Sequence, residues 1–558
     1  MPSLQDDRKQ LLQRVASMEL ERSSWQAHWA ELSRFVLPRS GRFVSSDRNK
    51  GTRKHNAIHD SAATRALRVL GAGMMSGMTS PARPWFKLTL ADRELAKSQA
   101  AKLWLHEITA LMQTVLAKSN TYRTLQQTYE EHGVFGTSAK ILDPDYQTVV
   151  HHHQLTAGEY SVATDWRGDV ITLVRKFDMP VAALARQFGL ANCSRAVRTL
   201  YERGHLDSWV PLVHVIEPRD DRDPKSREAK HMPWRNVYFE AGADADEVLR
   251  DGGNREMPVI CSRWAVTSGD IYGHSPAMEA LGDIKQLQQE QLRKGQAIDY
   301  MVRPPLRLPH SMKGQEADML PGGVSYGDGE VQSAFQVNLR LDHLLTDIQD
   351  VRERIRSAFY VDVFLALVQA DMGRMTATEV AARNEEKMLM LGPVVERLIN
   401  EEQTPLIERT FGRMLAAGIV PPPPPELQGM ELQVEFTGLL VQAQRSISAN
   451  ATDRWVGNLG QVAAFSPGVL DKFDADAWAD AYAEQLGIDP HLVVPSATVA
   501  LIRQQRAQAQ AEERATALAK DQADTVQRLS NAPATEGTAL AALVRGGGLV
   551  QTDNLSIR

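Results

Sequence analysis

The chain has 558 residues, of which 43% are hydrophobic and 24% charged; these proportions exclude wholesale disorder and collagen-like or mucin-like classes, and the length exceeds the ~250–300 residues at which one core stops growing. No apolar run approaches the ~18 residues that span a bilayer, and residues 1–13 are charged without the apolar centre of a signal peptide, so no membrane partner is expected. A net charge of −6 gives no global signature of nucleic-acid binding, and Cys193 and Cys261 fit neither a disulfide framework nor a CxxC pattern, as in a reducing cytoplasm.

The first predicted helix runs from about Leu4 to Val36, where Leu11, Val15, Met18, Trp25, Trp29, Leu32 and Val36 recur at helical spacing and Pro38 ends the run. Between Arg34 and Arg68 lie Arg39, Arg42, Arg48, Lys50, Arg53, Lys54 and Arg65, a run that reads as a solvated linker or as a contact to phosphate or to a partner. A second helix opens after Asp60, a good N-cap, with Leu67, Leu70, Met74 and Met78 on one side. Gly71, Gly73 and Gly77 keep it thin, which predicts close approach of a neighbouring subunit. Trp104, Ile108, Leu111 and Val115 mark a third helix.

From about Val134 to Val266 the period shifts toward strands, as at Tyr160–Ala163, Val170–Val174, Val210–Ile216 and Val237–Phe239, with Trp166-Arg167-Gly168-Asp169 as a hairpin turn. Ser275-Pro276 then opens a Gln-rich helix carrying Leu281, Ile284, Leu287 and Leu292, which must end before Pro304-Pro305. An irregular Pro/Gly-rich segment follows, and after it a helix with Leu341, Leu344, Ile348, Val351, Ile355 and Phe359 on one face and an Asp350/Arg354 pair on another. Beyond Ala366 the chain lacks an apolar period until Thr376-Ala-Thr-Glu379, a capping box. The helix it starts reaches about Ala417, with kinks expected at Leu389–Gly392 and Glu401–Thr404 because Pro393 and Pro405 each remove a backbone donor. Pro421–Pro425 is a stiff connector, Ala475–Leu486 and Ser496 to about Leu529 read as helices, and the end past Gly546-Gly547-Gly548 as frayed.

Chemistry is sparse. No GxxxxGK[ST] phosphate loop occurs, since Lys97-Ser98, Lys118-Ser119 and Lys225-Ser226 lack the glycines, so the chain is not expected to be an ATP-driven motor, a nuclease or any other enzyme. Gly71-Ala-Gly73-Met-Met-Ser76-Gly77 departs from the dinucleotide pattern and lies in a helix. On a strand only His151 and His153 of the triple histidine share a face, and no Glu or Cys stands beside them at ligand spacing. Asp220-Asp221-Arg222-Asp223, between Pro218 and Pro224, reads as a solvated loop. No cofactor, metal site or catalytic residue is expected.

Seven segments, in order, resemble the head-to-tail connector, or portal, proteins of podovirus-type bacteriophages: ELSRFVLPRSGRF (31–43), SGMTSPARPWFKL (76–88), HGVFGTSAKIL (132–142), EYSVATDWRGDVITLVRKF (159–177), IYGHSPAMEALGDIKQLQ (271–288), IRSAFYVDVF (355–364) and TATEVAARNEEKMLMLGPVVERLINEEQTPLIERTF (376–411). The resemblance implies an α+β, mainly helical subunit of a dodecameric ring at one capsid vertex. Residues 1–274 would be the wing, 275–302 and 339–365 the two stem helices, 303–338 the clip, 366–376 the channel loop and 377–420 the long kinked wing helix. Residues 421–495 would connect wing to crown, and 496–558 form the crown or barrel helix and tail. In the channel loop Gln369, Asp371 and Arg374 are the residues that would meet DNA. The implied partners are double-stranded DNA passing through the channel, the terminase packaging motor, tail adaptor and tail proteins, and the major capsid and scaffolding proteins; the implied place is the virion, after assembly in the host cytoplasm. The other reading is a different oligomeric virion component, such as a tail adaptor or capsid protein.

Overall fold

The computed structural model describes residues 4–43, 56–92, 95, 98–226, 228–242, 248–309, 320, 322–327, 332–333, 341–365, 385–427, 429–441, 458–463, 465–479, 493–494 and 496–530. Two compact units divide the chain at residues 465 and 466.

In the first unit, helix α1 (Leu4–Phe35) buries two different stretches of its predicted stripe. Leu11, Val15 and Met18 pack with Val174, Val213, Val215, Val237 and Phe239, whereas Trp29, Leu32 and Val36 enter the main core. Helix α2 (Ala62–Met78) is almost wholly covered, with Leu67, Leu70, Met74 and Met78 in that core. Strand β1 (Phe86–Leu90) and helix α3 (Gln99–Lys118) follow. Helix α4 (Thr121–Phe135) was not foreseen, because its buried face mixes Leu125, Tyr129, Val134 and Phe135 with Thr121, Thr124, Thr128, Glu131 and His132, which weakens the apolar period. Gly136, at φ +71, ends α4, and a Cβ there would meet the Gly273 carbonyl oxygen at 2.2 Å.

The predicted mixed region resolves into two antiparallel sheets. Strands β2 (Thr137–Asp145) and β3 (Val149–Leu155) form the first with β9 (Val259–Arg263), in the order β3-β2-β9. The second is β4 (Tyr160–Thr164), β5 (Val170–Pro180), β6 (Trp209–Pro218), β7 (Trp234–Glu240) and β8 (Arg250–Asn254), in sequence order. The foreseen turn joins β4 to β5: Asp165 Oδ1 accepts from the Arg167 and Asp169 amides and Gly168 takes φ +88. Helices α5 (Val181–Phe188) and α6 (Arg195–Glu202) bury Leu184, Phe188 and Val197 beside Leu212 and Tyr238.

After Ser275, whose Oγ accepts from the Met278 amide, come α7 (Pro276–Glu279) and α8 (Leu281–Val302), so the helix expected to open at Ser275-Pro276 is broken once, at Ala280. The Pro/Gly-rich segment is not irregular throughout. Strands β10 (Leu306–Pro309), β11 (Val324–Gly327) and β12 (Gln332–Ser333) form a small sheet in which β10 pairs parallel with β11 and antiparallel with β12. Helix α9 (Leu341–Ala358) follows, then a turn with Tyr360 at φ +53. Helices α10 (Glu385–Leu398) and α11 (Thr404–Ala416) flank a π-helical turn, Ile399–Gln403. This turn falls at the second expected kink, where Pro405 lacks the amide that α-helical bonding to Glu401 would need. Strand β13 (Leu432–Phe436) returns to pair antiparallel with β1.

In the second unit, α12 (Ser496–Ser530) matches the helix expected from Ser496 to about Leu529; it is rich in Ala, Gln and Arg, and its described side chains are exposed or half-exposed. Arg503 binds both carboxylate oxygens of Asp476. No described helix is long and apolar enough to cross a membrane.

Candidate functional site: a helical hairpin and its anchors

Helices α8 and α9 pack antiparallel as a hairpin with the small sheet at its connected end. Its open end belongs to the main core: Ile284 and Leu287 of α8 and Ile348, Val351 and Ile355 of α9 are all buried there. Arg354 of α9 reaches Asp283 of α8 at 3.1 Å and Asp350, one turn back, at 3.4 Å. Lys285 pairs with Glu31 of α1 at 2.7 Å.

A polar hub joins this end to the start of α2. The N-cap position is Ser61, one residue later than expected and without a side-chain capping bond, and Asp60 serves the helix start from one residue before it: its Oδ1 accepts from the Ala62 amide at 2.8 Å. The other oxygen, Oδ2, accepts from Arg352 Nη2 at 2.7 Å and Nε at 3.1 Å and from Gln291 Nε2 at 2.9 Å. Gln288 closes the hub: its Oε1 accepts from the His59 and Asp60 amides and its Nε2 donates to the Asp60 carbonyl. One carboxylate thus fixes α2 against both hairpin helices, with charge-assisted bonds from α9.

Toward the small sheet the hairpin changes character. Leu292, Ile298, Met301 and Val302 of α8, Leu306 of β10, Leu320 and Leu345 of α9 are exposed, Val302 at 71%. Isolated exposed leucines are ordinary, but here seven large apolar side chains on the hairpin and its connection are open to water in the single chain.

The second anchor holds the π-helical turn. Lys140 of β2 and Glu402 form an ion pair in which each side chain is 1% exposed. Ser262 Oγ of β9 donates to Glu402 Oε2 at 2.7 Å, and with its one proton so committed it accepts from His132 Nε2–H at 2.9 Å. Burial lowers the His132 pKa to about 4, so the imidazole is neutral. Beside this pair, Glu401 accepts from the Arg263 amide at 2.9 Å, from Arg263 Nη2 at 2.7 Å and from Arg397 Nη1 at 3.0 Å. Arg409 donates to the Val259 carbonyl. All of these bonds clamp one irregular turn to the β3-β2-β9 sheet.

The sequence-predicted residues fall unevenly. Gly71, Gly73 and Gly77 are buried within the chain. A Cβ on Gly73 would lie 2.2 Å from that of Phe364, and one on Gly71 would lie 2.9 Å from Gln126 Nε2 and 3.0 Å from Glu130 Cγ. Gly77 presents its carbonyl to Gly438, where a Cβ would approach to 2.8 Å. The close approach that these glycines permit is therefore made inside the subunit, because α4, Phe364 and Gly438 already occupy the thin face. Gln369, Asp371 and Arg374 lie outside the described residues, as do the Thr376–Glu379 capping box and Arg48, Lys50, Arg53 and Lys54 of the basic run.

His151 and His153 do share a face of β3, with ring centroids 5.0 Å apart, while His152 points the other way to Thr121 Oγ1 at 2.9 Å. Asp220, Asp221, Arg222 and Asp223 are exposed. Among the described residues no group of three or more His, Cys, Asp or Glu side chains is placed to hold a metal ion.

The model of the family described as bacteriophage head to tail connecting protein matches residues 8–493 of the chain. The probable portal protein of Bordetella phage BPP-1 is 55% identical over 546 residues, which cover 97% of this chain and 98% of that one. The portal protein of Salmonella phage epsilon15 is 40% identical over 551 residues, covering 98% and 99% respectively. The portal protein of Enterobacteria phage T3 is 22% identical over 437 residues, covering 73% and 74%.

Proposed function

The chain belongs to the bacteriophage head-to-tail connecting protein family, a family of structural rather than catalytic proteins, and from that premise we propose that it is the portal subunit of a phage particle. Copies of it form a closed ring at one vertex of the capsid, and the genome enters and leaves through the ring. The observation that carries this reading is the set of large apolar side chains along the α8/α9 hairpin and its connection, Leu292, Ile298, Met301, Val302 and Leu345 among them, that are exposed in the single chain. Burying such a surface against the next copy, head to tail, closes a ring when the rotation between copies divides a full turn. Twelve copies are expected on the family resemblance.

In this reading 1–274 is the wing, α8 and α9 are the stem and the small β10–β12 sheet belongs to the clip. The segment 303–338 then docks the terminase packaging motor and later the tail adaptor, since residues in a shaped connection are free to serve recognition. Gln369 and Arg374 in 366–376 offer donors to the phosphates of passing double-stranded DNA, and one arginine per subunit with Asp371 close by gives a weak, salt-sensitive attraction that lets DNA slide. Residues 496–558 contribute the crown, and the ring assembles in the host cytoplasm before the capsid shell and scaffold gather on it.

Negative-stain electron microscopy and mass photometry of the purified chain test the reading. Closed rings with an axial hole are expected; a shell lattice or a stable monomer would overturn it and favour a tail adaptor or capsid component. Replacing Gln369, Asp371 and Arg374 together by Ala should keep the rings and lower packaging efficiency or DNA retention, and unchanged packaging and retention would remove the DNA role from that segment.

A further inference from the structure

Seven residues beyond Asp283 on α8 stands Glu290, and seven residues before Arg354 on α9 stands Asp347. Because Asp283 and Arg354 pair across the hairpin at 3.1 Å, two helical turns along each antiparallel partner bring Glu290 and Asp347 opposite one another. The second position differs from the first in that both groups are carboxylates. Glu290 is only 8% exposed, and Asp347 lies within hydrogen-bonding reach of it. Gln286 Nε2, one turn back, donates to Glu290 Oε1 at 2.6 Å. Glu290 Oε2 is buried and no donor reaches it among the described residues, the ionised Asp347 carboxylate being an acceptor like itself.

A buried carboxylate oxygen facing a second carboxylate lacks a positive body between them. Arg354, the cation that acts on Glu290, is already shared by Asp283 and Asp350, so the local sum over Glu290, Asp347, Asp283, Asp350 and Arg354 is negative. Asp347 itself is exposed, which gives a hydrated ion a way in. Small hard cations are held in just this manner, by one or two carboxylates with water completing the shell.

We propose that Glu290 and Asp347 form a site for one hydrated divalent cation of the magnesium or calcium class, which clamps α8 to α9. This inference stands whether or not the hairpins line a ring. A bound cation shields two carboxylates that would otherwise push the helices apart, and so stiffens the hairpin beside the Asp60 hub, whose Gln288 and Gln291 flank Glu290 in sequence.

The test titrates Mn2+ into the full-length protein after EDTA treatment and gel filtration, following loss of the free-ion signal by electron paramagnetic resonance. The wild type should bind about one more Mn2+ per subunit than Glu290→Gln or Asp347→Asn, or bind it at least ten-fold more tightly, and Mg2+ or Ca2+ in excess should displace it. Both variants are isosteric, and unchanged circular dichroism establishes that they fold. Equal Mn2+ binding by the wild type and both variants overturns the proposal. So does a wild type without this site whose thermal midpoint in metal-free buffer rises on Glu290→Gln, since the carboxylates then share a proton instead.

Discussion

The π-helical anchor and the outer surface of the hairpin place the wrong kind of residue in opposite senses. Around Glu402 charged side chains are buried; between Leu292 and Leu345 apolar side chains are exposed. A buried ion pair contributes little net stability, because desolvation offsets most of the attraction, but it tolerates only one arrangement and so fixes where the turn sits. An exposed apolar surface does nothing for the single subunit and supplies the driving force for association at roughly 25 cal/mol per Å2 covered. The first feature gives the subunit its shape and the second gives it a reason to assemble, so substitutions should separate the two.

Lys140→Met should produce the largest loss of subunit stability. It leaves the Glu402 carboxylate buried without its cation, a change that costs about 3–5 kcal/mol. Soluble yield and the thermal midpoint should both fall. Adding Glu402→Leu should recover much of the loss, because an apolar pair of similar volume no longer requires desolvating a charge; a double variant no better than Lys140→Met would mean that the pair matters for more than charge neutrality.

Gly73→Ala comes next, at about 1–3 kcal/mol, since its methyl would overlap Phe364 and force one helix to shift. The packing of Gly71, Gly73 and Gly77 within the chain makes this a folding effect. A wild-type thermal midpoint with defective rings would instead return these glycines to the subunit interface.

Glu131 sharpens the buried side of the comparison through pH. Burial raises its pKa to about 7, against the bonds from Thr156 Oγ1, the Ala157 amide and Ser40 that favour the charged form. A carboxyl whose folded pKa lies above the ordinary 4.5 binds its proton more tightly when folded. Its stabilising contribution is therefore complete below about 4.5 and is lost as pH rises through about 7. Glu131→Gln, which keeps an acceptor for Thr156, should leave stability nearly unchanged at pH 4.5 and raise it by about 1–3 kcal/mol above pH 7. Urea unfolding at both pH values checks the sign, and an equal effect at both would rule out titration of Glu131 as its cause.

How much of this was legible depended on whether partners lie near in sequence. The stripe of α1, the α2 face and the seam of α9 follow from spacing alone, and the strands Val210–Ile216 and Val170–Val174 from β-branched runs. Helix α4 escaped because it buries threonines and a histidine, whose bonds to Ser262 and Gln154 are made only in the folded chain. The β1–β13 pair joins short strands from opposite ends of the first unit, where neither has a partner close in sequence. Lys140 and Glu402 stand 262 residues apart, and nothing local to either marks it as half of a buried pair. Position 402 gave one hint, the proline three residues on, which marks an irregular turn but not what it holds.

The hairpin substitutions complete the contrast, with the smallest effect on the folded subunit. Leu292→Glu and Ile298→Glu place charges at positions already open to water in one chain, so each should change subunit stability by no more than ~0.5 kcal/mol. In an assembled ring the same positions would be covered, and an uncompensated carboxylate there must be desolvated in every copy. Because a closed ring repeats each interface, a penalty of about 1–2 kcal/mol per contact is multiplied around the circle. Mass photometry should show the ring fraction falling at least ten-fold while circular dichroism and the thermal midpoint of the monomer match the wild type. Leu12→Glu, on an exposed position of α1 outside the hairpin, serves as the control and should leave rings intact. If the Leu292 and Ile298 variants assembled as readily as that control, the exposed surface would lie outside the subunit contact, and the ring would have to be built through another face.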